Sequence, residues 1–331
     1  MLDQSPIAEG ATGASALRNT IDLARLADEL GYARYWIAEH HGMPMLASAA
    51  PEILIAEVAA VTERIRVGSG GVMLPHYSPL KVAETFSILS GLHGDRIDLG
   101  IGRAPGSDRQ TMIALQRDRR QLSPDDFPEQ LAELLAYFEN DFPPGHPFAR
   151  LAALPGAPGK PDVWLLGSSP QSALWAGELG LPYSIADFIT PHGAENARLY
   201  RERFEPSARR SQPELGICVS AICAETDAEA RRLAASQQMA ITLLRRGRLV
   251  AVPPVETALA FLAQPGNQEV PGGRRAVVGT PDAVRAGLEQ VAAEYGAGEI
   301  AIVTITHDHG ARRRSYELIA EAFGLASTSQ A

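Results

Sequence analysis

The sequence predicts a (β/α)8 barrel, and three observations carry that expectation. Short apolar runs of strand length alternate with helical apolar stripes along the whole chain. Proline openings and glycine stops punctuate the helices, and no linker-like stretch interrupts the 331 residues. Repeated βα units imply a parallel sheet, and there are enough of them to close it into a barrel of one domain over residues 1–331.

Each unit has its own signals. Leu17, Ile21, Ala24 and Ala27, with Leu23, Leu26 and Leu30 beside them, form a helical stripe that Gly31 stops, and Tyr35 to Ala38 follows as a strand. Pro51 opens a helix carrying Leu54, Val58 and Val61, and the strand Ile65 to Gly70 follows. Ser78-Pro79 starts a third helix with Val82, Phe86 and Leu89, before the strand Ile97 to Ile101. Asp162 to Gly167 is the next strand, Pro170 opens its helix, Leu181 to Ala186 is strand-like, and a helix runs from about Pro191 to Phe204. Leu215 to Ala224 is a strand. A helix from Thr280-Pro281 places Val284, Leu288, Val291 and Tyr295 on one face before Gly296, then come the strand Glu299 to Thr306 and a helix over Tyr316 to Phe323. Only Leu2 and its neighbours remain for the first strand, so that strand is very short or begins before the first residue of the sequence. Two irregular segments, Gly106 to Pro128 and Arg246 to Arg275, read as binding loops or lids, the second being a long insertion before the last βα unit.

Composition narrows the function. With 45% apolar and 21% charged residues the chain is globular, and a formal net charge of −9 argues against nucleic acid as a partner, though a local basic pocket for one phosphate is compatible with it. Cys218 and Cys223 stand five positions apart in one strand, on opposite faces, and read as free buried thiols of a reducing compartment. Met1 to Ala16 lacks a basic segment followed by an apolar run, and no apolar stretch approaches a membrane span, so a cytoplasmic location without membrane contact is expected.

In a closed barrel the working face lies at the carboxyl ends of the strands. There stand Glu39-His40-His41 after the second strand, Gly70-Gly71 and then His76 after the third, Gly102-Arg103 after the fourth and Gly167-Ser168-Ser169-Pro170-Gln171-Ser172 after the fifth. Adjacent imidazoles exchange protons near neutral pH, although a lone histidine there can equally be a satisfied structural residue. Pro170 at a first helical turn leaves backbone N–H groups for an anion, with the hydroxyls of Ser168, Ser169 and Ser172 adjacent; the competing reading is simple capping by Ser169. Arg103 offers a fork for phosphate oxygens, or else an ion pair with Asp98 or Asp108. Gly70-Gly71 is either a bulge or a backbone surface that can lie flat against a planar ring.

In order, Glu39-His40-His41, Val67 to Pro75 with Ser78-Pro79, Asp95 to Arg103, Gly167-Ser168-Ser169 and Gly180-Leu181-Pro182 resemble the bacterial luciferase-like flavin monooxygenases, over about Leu2 to Leu325. Within that family the likeness is to uncharacterised luciferase-like oxidoreductases. The resemblance implies a bacterial luciferase-like TIM barrel, usually a homodimer, that binds FMN in reduced form delivered by a separate flavin reductase, and that uses O2 on a small or long-chain organic substrate. It implies that Arg103 and the turn Ser168, Ser169, Gln171, Ser172 hold the FMN phosphate. It also implies that Gly70-Gly71 is a non-proline cis peptide against the flavin ring, and that His40, with His41 beside it, assists the oxygen chemistry. The light-emitting members carry a reactive cysteine where this chain has Gly102 and an acidic residue where it has Gly167, so light emission is not expected. Arg246 to Arg275 falls where the family has a mobile lid.

Three rival readings remain. His40, His41, His76, His192, His307 and His309 all follow strands and suggest a metal-dependent hydrolase, although no carboxylate or cysteine set completes a first shell. A flavin-binding protein without turnover would keep Arg103 and the serine turn. A barrel using the deazaflavin F420 would transfer hydride and leave oxygen alone.

Overall fold

The computed structural model describes residues 1–103, 109–115, 126–151, 155, 159–191, 193–267 and 275–325. Seven strands pair in chain order, all parallel: β1 (Leu2–Asp3), β2 (Arg34–Ile37), β3 (Arg66–Met73), β4 (Ile97–Gly102), β5 (Asp162–Gly167), β6 (Tyr183–Ala186) and β7 (Leu215–Cys223). Two more strands, β8 (Ala276–Gly279) and β9 (Glu299–Val303), both pair with β7. β9 runs along Gly216 to Ser220 and β8 along Ser220 to Cys223. Because β9 also lies beside β1, the barrel is β1 to β7 plus β9, and β8 extends the sheet outside it. The (β/α)8 architecture is therefore present, with a first strand of only two residues.

The helices begin and end where the chain's chemistry says. α1 (Gly13–Glu29) starts from a capping box of Thr12 and Ser15, and proline opens α2 (Pro51–Ala60) and α3 (Pro79–His93). Ser78 holds the N-cap position of α3 without bonding through its side chain. The segment Gly106 to Pro128 is not wholly irregular: α4 (Arg109–Leu115) lies within it and α5 (Phe127–Glu139) begins at its end. α6 (Pro170–Glu178) and α7 (Ala194–Glu202) follow. Arg246 to Arg275 is also more than a loop. It follows α8 (Asp227–Arg245), contains α9 (Val255–Leu262), and leads directly into β8. α10 (Pro281–Tyr295) ends at Gly296 as the spacing predicts, whereas α11 (His309–Phe323) starts earlier than expected because Asp308 caps it through the Ala311 N–H.

Two apolar layers result. Outside the barrel, Leu23, Ile55, Phe86, Leu131, Ile185 and Tyr316 belong to the shell between strands and helices; inside it, Leu2, Trp36, Trp164, Cys218 and Val303 cluster. The amino end of the barrel is closed by charge. Asp98 of β4 is wholly buried and accepts from Arg34 Nη1 of β2 at 2.8 Å, Arg66 Nη2 of β3 at 2.6 Å and Trp36 Nε1 at 2.9 Å. Arg34 reaches on to Glu299 of β9 at 2.9 Å and lies 4.8 Å from the Trp164 ring centre.

A buried carboxylate with this many donors is costly to delete, because its cationic partners lose their compensation. Asp98→Ala is expected to lower unfolding stability by about 3–5 kcal/mol, read as a lower urea midpoint at unchanged slope. An unchanged midpoint would show that the cluster contributes nothing net.

Candidate functional site

At the carboxyl end of the strands the barrel opens into a cavity of about 450 Å³. Its wall includes Leu2 of β1 and Gln4 just beyond it, Glu39 and His40 beyond β2, Gly70, Gly71 and Met73 of β3, and Gly102 and Arg103 at the end of β4. Gly167, Ser168, Ser169, Ser172 and Trp175 come from β5 and α6, Phe188 and Ile189 follow β6, and Cys218 belongs to β7. The structure thus brings together His40, Gly70, Gly71, Arg103, Ser168, Ser169 and Ser172. His41 and Gln171 are not among the lining residues: His41 turns to Glu39, and Gln171 is exposed on the outer side of the first turn of α6.

The Gly70–Gly71 peptide is cis, and the β3–β4 register shifts across it, Gly70 facing Gly100 and Val72 facing Ile101. Both features of the glycine reading, a bulge and a bare backbone surface, are present together. A Cβ on Gly71 would stand 2.7 Å from the Gly100 carbonyl oxygen, and one on Gly70 would run into Leu2 and Trp36. Side chains are excluded here by neighbours, so this wall of the cavity is main chain.

At the β4–β5 edge, Arg103 is exposed at the mouth with its guanidinium carbon 5.5 Å from the centre of the Trp175 ring, a cation–π distance. Asp98 spends its oxygens on Arg34, Arg66 and Trp36 at the opposite end of the barrel, while Asp108 lies outside the described residues. Ser169 does cap α6: its Oγ accepts from the Ser172 N–H at 3.3 Å, and the Ser172 Oγ, which donates to the Ser169 carbonyl at 2.8 Å, also sits 2.9 Å from the Tyr183 hydroxyl. Capping and cavity lining are therefore not alternatives here, since the same hydroxyls do both.

At the β2 edge, the His40 backbone N–H donates to the Ser48 carbonyl at 2.9 Å, and its ring lines the cavity with a buried Nδ1 that has no hydrogen-bond partner among the described residues. Burial pushes the imidazole down to about 4, the nearby Glu39 acting against this and His41 with it. His40 is thus a neutral ring at pH 7 with an unused nitrogen. The Cys218 thiol on the same cavity is pushed up to about 11 by burial, which keeps it protonated.

The metal-site alternative finds no support in geometry. Among the described residues no three His, Cys, Asp or Glu side chains gather as a first shell. His307 reaches the Glu9 carbonyl at 3.3 Å, His309 reaches Asp22 at 2.8 Å, and His76 packs edge-on to His41, while His192 lies outside the described residues. Among the described residues no helix is long and apolar enough to cross a membrane. Sequence reading missed Phe127, Trp175, Phe188 and Cys218 as cavity residues. Only Trp175 lay near a motif, one helical turn beyond Ser172.

Comparison with known proteins matches the chain to the family described as luciferase-like monooxygenase, over residues 2–298. It is 43% identical to the luciferase-like monooxygenase of Escherichia coli strain K12 over 325 residues, covering 96% of this chain and 94% of the relative. It is 37% identical to the N-acetyl-S-alkylcysteine monooxygenase of Bacillus subtilis strain 168, covering 97% of each. The crystal structure of apo-MsnO8 superposes with a TM-score of 0.91 at 45% identity, covering 99% of this chain and 98% of that one.

The state of His40 is open to direct measurement. A ring whose folded value lies near 4, below the ordinary 6.5, binds fewer protons than its unfolded counterpart in that interval, so it favours folding above pH 6.5 and loses that contribution as pH falls toward 4. ¹⁵N-edited NMR is expected to show His40 neutral at pH 6, and His40→Gln is expected to flatten the acid limb of the stability curve. A midpoint at the ordinary value would contradict this burial.

Proposed function

The chain belongs to the luciferase-like monooxygenase family, and from that premise we propose that it is a flavin-dependent monooxygenase that uses reduced FMN and O2 to oxidise a small or long-chain organic substrate. The observation that carries the proposal is one cavity with three unlike edges: an arginine and serine turn, a shelf of bare main chain, and a neutral imidazole with an unused nitrogen. That combination fits a flat, phosphorylated cofactor better than a metal or a charged polymer.

The residues divide the work. Arg103, with Ser168, Ser169 and Ser172, would hold the phosphate. Arginine supplies charge and direction, and the α6 amino terminus, whose N–H groups are capped by Ser169 and Ser172, adds the positive end of the helix dipole. Gly70 and Gly71 would let the ring system approach the main chain closely. Reduced FMN, when bound, supplies the electrons that activate oxygen. His40 would hold or release a proton at Nδ1, the atom that lacks a partner, and the apolar wall of Leu2, Leu166, Phe188 and Ile189 would keep water from the reacting centre. A flavin reductase would be a transient partner. Ile53 of α2, with Ile88 and Leu92 of the neighbouring α3, leaves exposed apolar side chains suited to a second copy of the chain in a homodimer.

The decisive trial mixes purified protein, chemically reduced FMN and air, with a panel of thioethers and aldehydes, and follows oxygen use and oxygenated product. Product formation supports the proposal, whereas binding or reduction of F420 alone overturns it. Arg103→Ala is expected to weaken FMN binding by about 10- to 100-fold, the worth of a charge-assisted contact, and to leave riboflavin binding nearly unchanged, since riboflavin lacks the phosphate; equal losses would contradict the assignment. His40→Ala is expected to keep FMN affinity while the product formed per O2 consumed falls by about 100-fold. Unchanged coupling would return His40 to a structural role.

A further inference from the structure

His40 lines the cavity and the adjacent His41 does not. The contacts around Glu39 account for the difference. Glu39, 1% exposed, sits just beyond β2 and accepts three donors: the Met73 N–H on Oε2 at 3.0 Å, the Tyr77 hydroxyl on Oε1 at 3.0 Å, and His41 Nε2 on Oε1 at 2.7 Å. Met73 closes β3 only two residues beyond Gly71, and Tyr77 follows the single 3-10 turn Leu74–His76. The carboxylate therefore ties the end of β2 to the end of β3 across the glycine shelf.

The ring of His41 is held on the far side of this tie. Its Nε2 bears the proton that the carboxylate accepts, and its face meets the edge of His76 at a centroid distance of 5.9 Å. With His41 occupied there, His40 is the imidazole left for the cavity. We propose that Glu39 is a positioning residue whose carboxylate selects His40, not His41, as the cavity imidazole.

The selection needs a carboxylate and no substitute. An amide of the same shape has one acceptor oxygen, and its NH2 would face a donor at whichever side it occupied, so at least one tie is lost. Aspartate keeps both oxygens but withdraws them by one methylene. The titratable groups around His40 are Glu39 and His41, with Tyr77 and His76 from the β3 side and Glu52 from α2.

The placement does not require flavin, while its consequence for turnover rests on the function proposed above, so the two can fail separately. The test is ¹⁵N-histidine NMR of the full-length protein, wild type against Glu39→Gln, without cofactor. If Glu39 selects the ring, its loss frees His40 to exchange with His41, and the His40 midpoint rises from about 4 toward the ordinary 6.5 while the His41 ring loses its single tautomer. If Glu39 acts only as a nearby charge, removing it takes away the one influence that raises His40, and the midpoint stays or falls, which overturns the proposal. Glu39→Asp is expected to lie between wild type and Glu39→Gln. Should Glu39→Gln fail to fold, Tyr77→Phe removes one donor from a half-buried position and reads the same quantity. A rise in the His40 midpoint supports the selection and no rise overturns it.

Discussion

The structure depends on how the amino end of the barrel is closed. Arg34, Asp98, Arg66 and Glu299 come from four different strands, and the wholly buried Asp98 is tolerable only because Arg34 and Arg66 compensate it, Arg34 reaching on to the half-buried Glu299. Above this layer Trp36 and Trp164 meet edge to face at 5.3 Å and fill the middle of the barrel. The cavity that the candidate site residues line opens at the carboxyl end, where the strand-end loops carry the reactive side chains. Closure at one end by charge and packing is what makes the other end a site.

The second constraint is crowding between β3 and β4. Gly68, Gly71 and Gly100 each lie where a side chain would strike neighbouring main chain, so the two strands approach closely over their whole pairing. A wall formed this way has shape but little chemistry, and that suits it to a flat ligand. The reactive groups must then come from its two edges, which is where His40 and Arg103 stand.

Much of this was legible in the sequence. Proline openings and glycine stops marked α2, α3, α6 and α10 because those residues act locally, through fixed φ, a missing N–H or a positive φ. β8, with four residues and an exposed start, had no such marks, whereas α8 carried a Thr226 cap and a positive-φ stop at Gly247 that the periodicity reading passed over. Sequence adjacency also misled. His41 and Gln171 were grouped with their neighbours, yet the bond to Glu39 holds His41 apart from the cavity that His40 lines, and the rotation of one helical residue turns Gln171 from Ser172. Phe127, Phe188 and Cys218 reach the cavity only through tertiary packing, so no local pattern could have named them.

The electrostatic division of the cavity follows from burial. Arg103 stands at the exposed mouth, where solvation is cheap, while His40 is too enclosed to hold a charge at neutral pH. The cavity therefore sets a guanidinium at its mouth on one edge and an uncharged imidazole on the other, so the arginine edge suits the anionic part of a ligand and the His40 edge its neutral part.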